Sequence, residues 1–115
     1  HTPSKEEWDD LINFAGGIDV AGMNLESKQW DTTFYIGEYP KDKFGFTAMP
    51  AGYLRESSMI YEGIGGNAFF WTSTVSPNTD PYDEPYLVAF SKYHRVNYLD
   101  FWNKATGGSV RCIKD

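Results

Sequence analysis

The chain has 115 residues, with ten Lys or Arg and sixteen Asp or Glu residues, so its formal net charge is -6. This length suits one packed core, and the acidic balance without a basic run excludes nucleic acid and anionic membrane surfaces as expected partners. No apolar stretch approaches the roughly 20 residues of a membrane helix, so we expect no membrane insertion by this domain.

The chain begins with the pattern of a capped helix. Ser4 and Glu7 form an S-x-x-E capping box, in which each side chain accepts a hydrogen bond from the backbone amide of the other residue. The apolar residues that follow at helical spacing are Trp8, Leu11, Ile12 and Ala15. Gly16 and Gly17 are typical of a helix C-terminus. We therefore expect an amphipathic helix from residue 4, followed by a short helical turn within residues 18–24.

After residue 27, short aromatic or β-branched runs alternate with Gly, Pro, Asn and Asp, which is typical of an all-β or α+β region. The five clearest predicted strands are residues 32–36, 44–49, 68–73, 86–90 and 109–113. A sixth run, residues 95–101, has no cleanly apolar face, so we do not expect a simple core strand there. Residues 76–85 contain three prolines and three acids, which predicts an exposed loop.

Catalytic and metal-binding patterns are weak. Cys112 is the only cysteine, and nothing in the sequence ties it to His94, the only internal histidine, although a nucleophilic thiol needs a nearby base. Four residues of the loop supply oxygens of the kind that calcium binds, but their spacing is not that of an EF-hand. These residues are Asn78, Asp80, Asp83 and Glu84. We expect a protein that is not an enzyme and has no cofactor, and calcium at this loop stays an open alternative.

Residues 91–104, "SKYHRVNYLDFWNK", combine rigid aromatic side chains with adaptable polar groups. This mixture is favoured at recognition surfaces. The same residues could also form an ordinary strand pair whose aromatic rings cover the core. Composition leaves both interpretations open.

Four stretches occur together in a recognisable order: "HTPSKEEWDDLI", "GFTAMPAGY", "FFWTST" and "GGSVRCIKD". With them the chain resembles the Fibrobacter succinogenes major paralogous domain, a bacterial surface module. That family is similar to the C-type lectin-like fold and, more distantly, to the formylglycine-generating enzymes. The resemblance implies one α+β domain over residues 1–115, with early helices, a twisted antiparallel sheet, long loops and close termini.

The resemblance also implies a cellular setting. We expect the C-terminal module of a longer exported protein, an adhesin, pilus-tip protein or lipoprotein displayed at the cell surface beside the parent protein's other domains. Family members carry a "CP-x-G-W-H" motif before the first helix, so the chain is expected to begin inside that motif, truncated at its N-terminus. The early cysteine of the family would then pair with Cys112 in a disulfide, since surface proteins occupy an oxidising compartment.

Two departures limit what the relatives imply. Formylglycine-generating enzymes use a pair of cysteines, whereas this chain has one. Sugar-binding C-type lectins place calcium ligands in loops that residues 84–86 and 102–104 only partly match. Neither catalysis nor calcium-dependent sugar binding is therefore expected.

The expected function is binding of a glycan or a host or bacterial surface protein through an aromatic face. Aromatic stacking would supply most of the binding energy. Some relatives are diversified by retroelements just before the final "G-x-S-V-R-C" motif, which here corresponds to residues 97–108 and the residues before them. The candidate ligand-binding residues are Tyr82, Tyr86, Tyr93, His94, Asn97, Tyr98, Asp100, Phe101 and Trp102. The alternatives are a structural spacer and, less favoured, a degenerate protein similar to formylglycine-generating enzymes.

Overall fold

The structure, a computed structural model, describes residues 1–30, 40–55, 58–91, 93, 95–99 and 107–115. Its elements, in chain order, are α1 (Lys5–Phe14), α2 (Ala21–Leu25), β1 (Tyr53–Arg55), β2 (Ile60–Glu62), β3 (Asn67–Val75), a 3-10 turn (Pro77–Thr79), β4 (Pro85–Ser91) and β5 (Val96–Leu99). Strands β1 and β2 pair as an antiparallel hairpin, and β3, β4 and β5 form an antiparallel sheet in that order. The predicted α+β class is confirmed. In the described part of the chain, no helix has the length and apolar character to cross a membrane.

The first helix forms as predicted. The Ser4 hydroxyl accepts from the Glu7 amide at 3.1 Å, and the Glu7 carboxylate accepts from the Ser4 amide at 3.1 Å. After α1, Gly16 has a φ of 112°, a backbone conformation that glycine adopts at little cost. The short helix α2 confirms the second predicted helical turn.

Helix α1 packs against one face of the three-stranded sheet, which we call the inner face. Trp8 is 2% exposed, and its ring centroid lies 5.4 Å from that of Phe70 and 6.4 Å from that of Phe90. The sheet residues of this core are Ala68, Phe70, Val88, Phe90 and Val96. Because successive residues of a strand point to opposite faces, the alternate positions form the outer face. The outer face consists of Phe69, Trp71, Leu87, Ala89, Asn97 and Leu99.

The central strands agree with the sequence patterns. Strand β3 contains the predicted run 68–73, and β4 contains the run 86–90. Within the run 95–101, Val96–Leu99 forms β5, and Val96 is buried in the core, so this segment contributes more to the core than its pattern predicts. The predicted strand at residues 32–36 lies outside the described residues.

Two other predicted strands are wrong. Residues 44–49 contribute only one bridge, between Ala48 and Glu26. The Asp42 carboxylate accepts hydrogen bonds of 2.7 Å from both the backbone amide and the hydroxyl of Thr47, and this holds Thr47 at a φ of 55°, which interrupts an extended conformation. Residues 109–113 also form no strand.

The C-terminal segment instead connects two parts of the fold. The Ser109 amide donates to the Phe69 carbonyl at 2.8 Å, and the Trp71 amide donates to the Ser109 carbonyl at 3.0 Å. Further along, the Ile113 amide donates to the His1 carbonyl at 2.8 Å, and the His1 amino group donates to the Ile113 carbonyl at 2.7 Å. Residue 1 therefore lies beside residue 113, in agreement with the close termini that the resemblance implies.

The predicted loop at residues 76–85 is present, and the buried side chain of Thr79 helps to close it. The Thr79 hydroxyl donates to the Ser76 carbonyl at 2.9 Å and accepts from the Glu84 amide at 2.9 Å. These bonds close the loop at its base while Tyr82 stays 74% exposed at its tip.

Candidate ligand-binding surface

The described members of the predicted binding set do not lie on one continuous surface. Tyr82 precedes β4 and Tyr93 follows it, so the seven residues of β4, about 20 Å of extended chain, separate the two rings. Asn97 and Tyr98 are neighbours in β5 and therefore point to opposite faces of the sheet. The other predicted residues, His94, Asp100, Phe101 and Trp102, lie outside the described residues.

Tyr98 connects strand β5 to helix α1. Its hydroxyl donates to Asp9 Oδ1 at 2.5 Å and lies 3.3 Å from the Lys5 carbonyl oxygen. The Lys5 ammonium group stands 4.3 Å from the centroid of the Tyr98 ring, and the Tyr86 ring packs edge-on at 6.2 Å. Burial, together with the hydrogen bond to Asp9, raises the pKa of Tyr98 far above its usual value. These contacts give Tyr98 a structural part in the core.

We expect Tyr98→Ala to destabilise the protein by about 2 to 3 kcal/mol, because it removes a ring packed against the core. Tyr98→Phe keeps the ring and should cost about 1 kcal/mol for the lost hydrogen bond. Urea denaturation followed by circular dichroism measures both. The control is Tyr82→Ala, at an exposed position, which should change stability by less than about 0.5 kcal/mol. A Tyr98→Ala variant as stable as this control would show that the ring is not part of the core.

The outer face carries a second apolar cluster whose centre is buried and whose margin is partly exposed. Phe69, Leu87 and Ala89 are 8%, 1% and 8% exposed. In the described part of the chain, no helix packs against it. Hairpin residue Tyr53, whose ring lies 5.1 Å edge-on from Phe69, covers part of it, and Gly108 lies against Trp71 and Leu87. Trp71 and Leu99 are half-buried at its margin, and Asn97 is exposed. Asn97 is therefore the described member of the predicted set that faces this surface.

A hydrogen-bonded polar group lies beside this aromatic surface. The Tyr53 hydroxyl donates to Glu62 Oε2 at 2.7 Å, and Arg55 Nη2 lies 2.9 Å from the same carboxylate oxygen. The hydrogen bond to Glu62 raises the pKa of Tyr53, and the hydrogen bond to Tyr53 raises the pKa of Arg55. The Arg55 side chain is about half exposed, so its guanidinium can also donate to a ligand.

A cleft of about 270 Å³ lies next to the hairpin. Its lining residues include Tyr53, Leu54, Tyr61 and Gly107. Leu54 and Tyr61 project to the face of the hairpin opposite Tyr53 and Glu62, so these side chains of the cleft do not face the hydrogen-bonded polar group.

A second cleft, of about 330 Å³, lies between α1 and the C-terminal segment. Its floor includes Trp8 and Phe46, and the Arg111 guanidinium stands 4.2 Å from the centroid of the Phe46 ring. Cys112 lies at its rim as an exposed free thiol. The predicted disulfide of Cys112 stays a prediction. Among the described residues, no group of three or more His, Cys, Asp or Glu side chains could hold a metal ion.

Sequence reasoning missed most of the outer face. The alternation in "AFFW" was a usable signal, because it places Phe69 and Trp71 on the face opposite Phe70. A second usable signal was the opposite charge of Arg55 and Glu62, which lie on two short runs separated by a turn.

Comparisons with known proteins give one match. The model of a family described as Fibrobacter succinogenes major domain matches residues 1–114, nearly the whole chain. No curated protein and no solved structure matches the chain.

Proposed function

The chain belongs to the Fibrobacter succinogenes major domain family, and we propose that it is a non-catalytic ligand-binding module of a bacterial surface protein. The proposal includes a C-type lectin-like fold and an extracellular place in an adhesin or pilus-tip protein. The observation that supports it best is the outer face, where half-buried aromatic side chains adjoin the Tyr53, Arg55 and Glu62 hydrogen-bonded group.

The chemistry of this surface suits a ligand with both apolar and polar groups, either a glycan or a protein. Trp71 and Tyr53 offer ring surface for stacking. The Arg55 guanidinium and the exposed Asn97 amide offer hydrogen bonds that orient the ligand. Binding would need no rearrangement of the hairpin, because the hydrogen bonds of Glu62 already hold Arg55 in place.

A structural spacer is the second candidate. The position of Tyr98 favours it, because one ring of the predicted binding set is held by the core and by α1. A spacer needs no accessible aromatic side chains at this face, whereas Trp71 and Tyr53 are partly exposed there. The two candidates therefore differ in whether the outer face captures a ligand.

We expect Asn97→Arg to reduce ligand capture at least tenfold, because a long charged side chain on the edge strand β5 would obstruct the outer face beside Ala89. The measurement is capture by an array of glycans and bacterial and host surface proteins, followed by titration of the retained ligands. Stability should change little, since Asn97 is exposed.

The matched control is Tyr82→Ser, which alters an exposed aromatic residue at the far end of β4. It should retain full capture. Loss of capture with Tyr82→Ser but not with Asn97→Arg would move the site to the loop of residues 76–85, and an array that retains nothing would favour the spacer.

A further inference from the structure

The cleft between α1 and the C-terminal segment is mostly apolar. Trp8 and Phe46 belong to its floor, Leu11 lies on the side of α1, and Ile113 lies on the side of the C-terminal segment. Its volume of about 330 Å³ is within the range of small-molecule sites in proteins. The size and the lining of this cleft therefore suit the apolar part of a small molecule.

The Arg111 guanidinium stands at this cleft without a charged partner. It lies over the Phe46 ring, 4.2 Å from the ring centroid, and Arg111 is an exposed residue. Among the described residues, no carboxylate forms an ion pair with it. A guanidinium that stacks on an aromatic ring keeps N–H donors at its edge, so Arg111 can still bind an anion.

Glu7, the one acidic residue among the described lining residues, is already engaged. One of its carboxylate oxygens accepts from the Ser4 amide at 3.1 Å, and the other lies 3.0 Å from His1 Nε2. The bonds from Ser4 and His1 lower the pKa of Glu7, so its carboxylate is ionised at neutral pH. His1 therefore stands where a cationic ligand would pair with Glu7, whereas Arg111 has no such partner. These charges favour an anionic ligand whose acid group lies at Arg111, away from Glu7.

We propose that this cleft binds a small organic carboxylate with an aryl or alkyl body. The carboxylate accepts hydrogen bonds from the Arg111 guanidinium, whose donors match its geometry. The apolar body lies against Leu11 and Phe46, where burial of its surface adds to the affinity. The cleft is on the α1 side of the sheet, opposite the outer face, so this site is additional to the proposed function and does not rest on it.

The test is calorimetric titration of the whole chain with 3-phenylpropionate and, separately, with its neutral amide. The two probes have the same ring and linker and differ in charge. We expect the carboxylate to bind at least about fivefold more tightly than the amide, because only the carboxylate forms a charged pair with Arg111. Added salt should reduce this difference, since Arg111 is exposed.

Two variants of equal charge test the assignment to Arg111. Arg111→Gln should weaken binding of 3-phenylpropionate at least about fivefold and leave binding of the amide within about twofold. The matched control is Lys114→Gln, which removes the same charge from an exposed residue outside the described lining and should leave both affinities within about twofold. Equal losses with both variants would show a general effect of charge and would overturn the proposal.

Cys112 provides a measurement on the unaltered protein. It is the only cysteine of the chain and an exposed thiol at the rim of the cleft, so iodoacetamide labels one site that mass spectrometry can follow. Saturating 3-phenylpropionate should slow this labelling at least about twofold, because it covers the rim and reduces access to the thiol.

Three results would overturn the proposal. They are no binding of 3-phenylpropionate up to about 10 mM, equal affinities for the carboxylate and the amide, and binding that leaves Cys112 labelling unchanged. Binding that Asn97→Arg abolishes and Arg111→Gln does not would place the probe at the outer face instead. Capture of glycans or surface proteins by the outer face does not depend on Arg111, so the two proposals can fail separately.

Discussion

Replacing Glu26 with Gln should stabilise the protein by on the order of 4 to 5 kcal/mol at pH 9 and leave its stability almost unchanged at pH 4. Glu26 follows α2 and is fully buried, and this burial raises the pKa of its carboxyl from 4.5 to about 8. A buried carboxylate is costly, whereas the neutral amide of Gln has nearly the same shape and carries no charge.

The direction of this pH effect follows from the protonation of Glu26 in the folded and in the unfolded chain. In the unfolded chain Glu26 ionises near pH 4.5, and in the folded chain only near pH 8. The folded protein therefore binds one proton more between these values, and its stability falls as the pH rises from 4.5 to about 8. Below pH 4.5 Glu26 is protonated in both states, and above pH 8 it is ionised in both. Outside this range, Glu26 therefore adds no further change of stability with pH.

Urea denaturation at pH 4, 7 and 9 measures this effect. The free energy of unfolding of Glu26→Gln should exceed that of the unaltered protein by an amount that grows across this series. The control is Glu6→Gln, which removes an exposed carboxylate of α1 and should change stability by less than about 1 kcal/mol at each pH. Parallel pH profiles for Glu26→Gln and the unaltered protein would contradict the assigned role of Glu26.

Local signals in the sequence predicted the elements that depend on local contacts. The capping box of Ser4 and Glu7 predicted the start of α1 because both of its hydrogen bonds lie within one helical turn. The strand prediction at residues 44–49 failed because a local side-chain contact outweighed the strand pattern. Its alternating aromatic residues indicated a strand, but the bonds from Thr47 to the Asp42 carboxylate reach back five residues and set the backbone instead.

The candidate site depends on contacts that are distant in sequence, and so it was only partly predictable. Composition pointed to Asn97 and Tyr98 together, but the packing of α1 decides which of the two is accessible. The polar group on the hairpin depends on the register that places Tyr53 opposite Glu62. A shift of one residue would send these side chains to opposite faces, and the sequence alone does not determine that register.

The attachment of the hairpin to the sheet gives the second large expected effect. Gly52→Ala should destabilise the protein by about 3 to 4 kcal/mol, whereas Gly45→Ala should cost about 1 kcal/mol. Gly52 and Gly45 have nearly the same backbone conformation, with φ values of 68° and 71°. An alanine at either position therefore pays a similar cost for a left-handed conformation.

The surroundings of the two glycines differ. A Cβ at Gly45 would have no atom within 4 Å, whereas at Gly52 it would collide with the Glu62 carbonyl oxygen and lie 2.9 Å from the backbone nitrogen of Ile64. These are backbone atoms, so the clash can be relieved only by moving the chain at the end of β2 away from β1. The Gly52 amide also donates to the Asn67 carbonyl at 2.8 Å, which links the start of β1 to β3.

Guanidinium denaturation compares the two variants, and hydrogen exchange locates the damage. Gly52→Ala should speed exchange at the Leu54 amide, because the hairpin separates from residues 107–109, while Gly45→Ala should leave that amide protected. Ligand capture at the outer face should fall with Gly52→Ala, since Tyr53 and Glu62 lose their alignment. Equal stability of the two variants would show that only the left-handed conformation matters at Gly52, and that the close approach of β2 does not hold the hairpin in place.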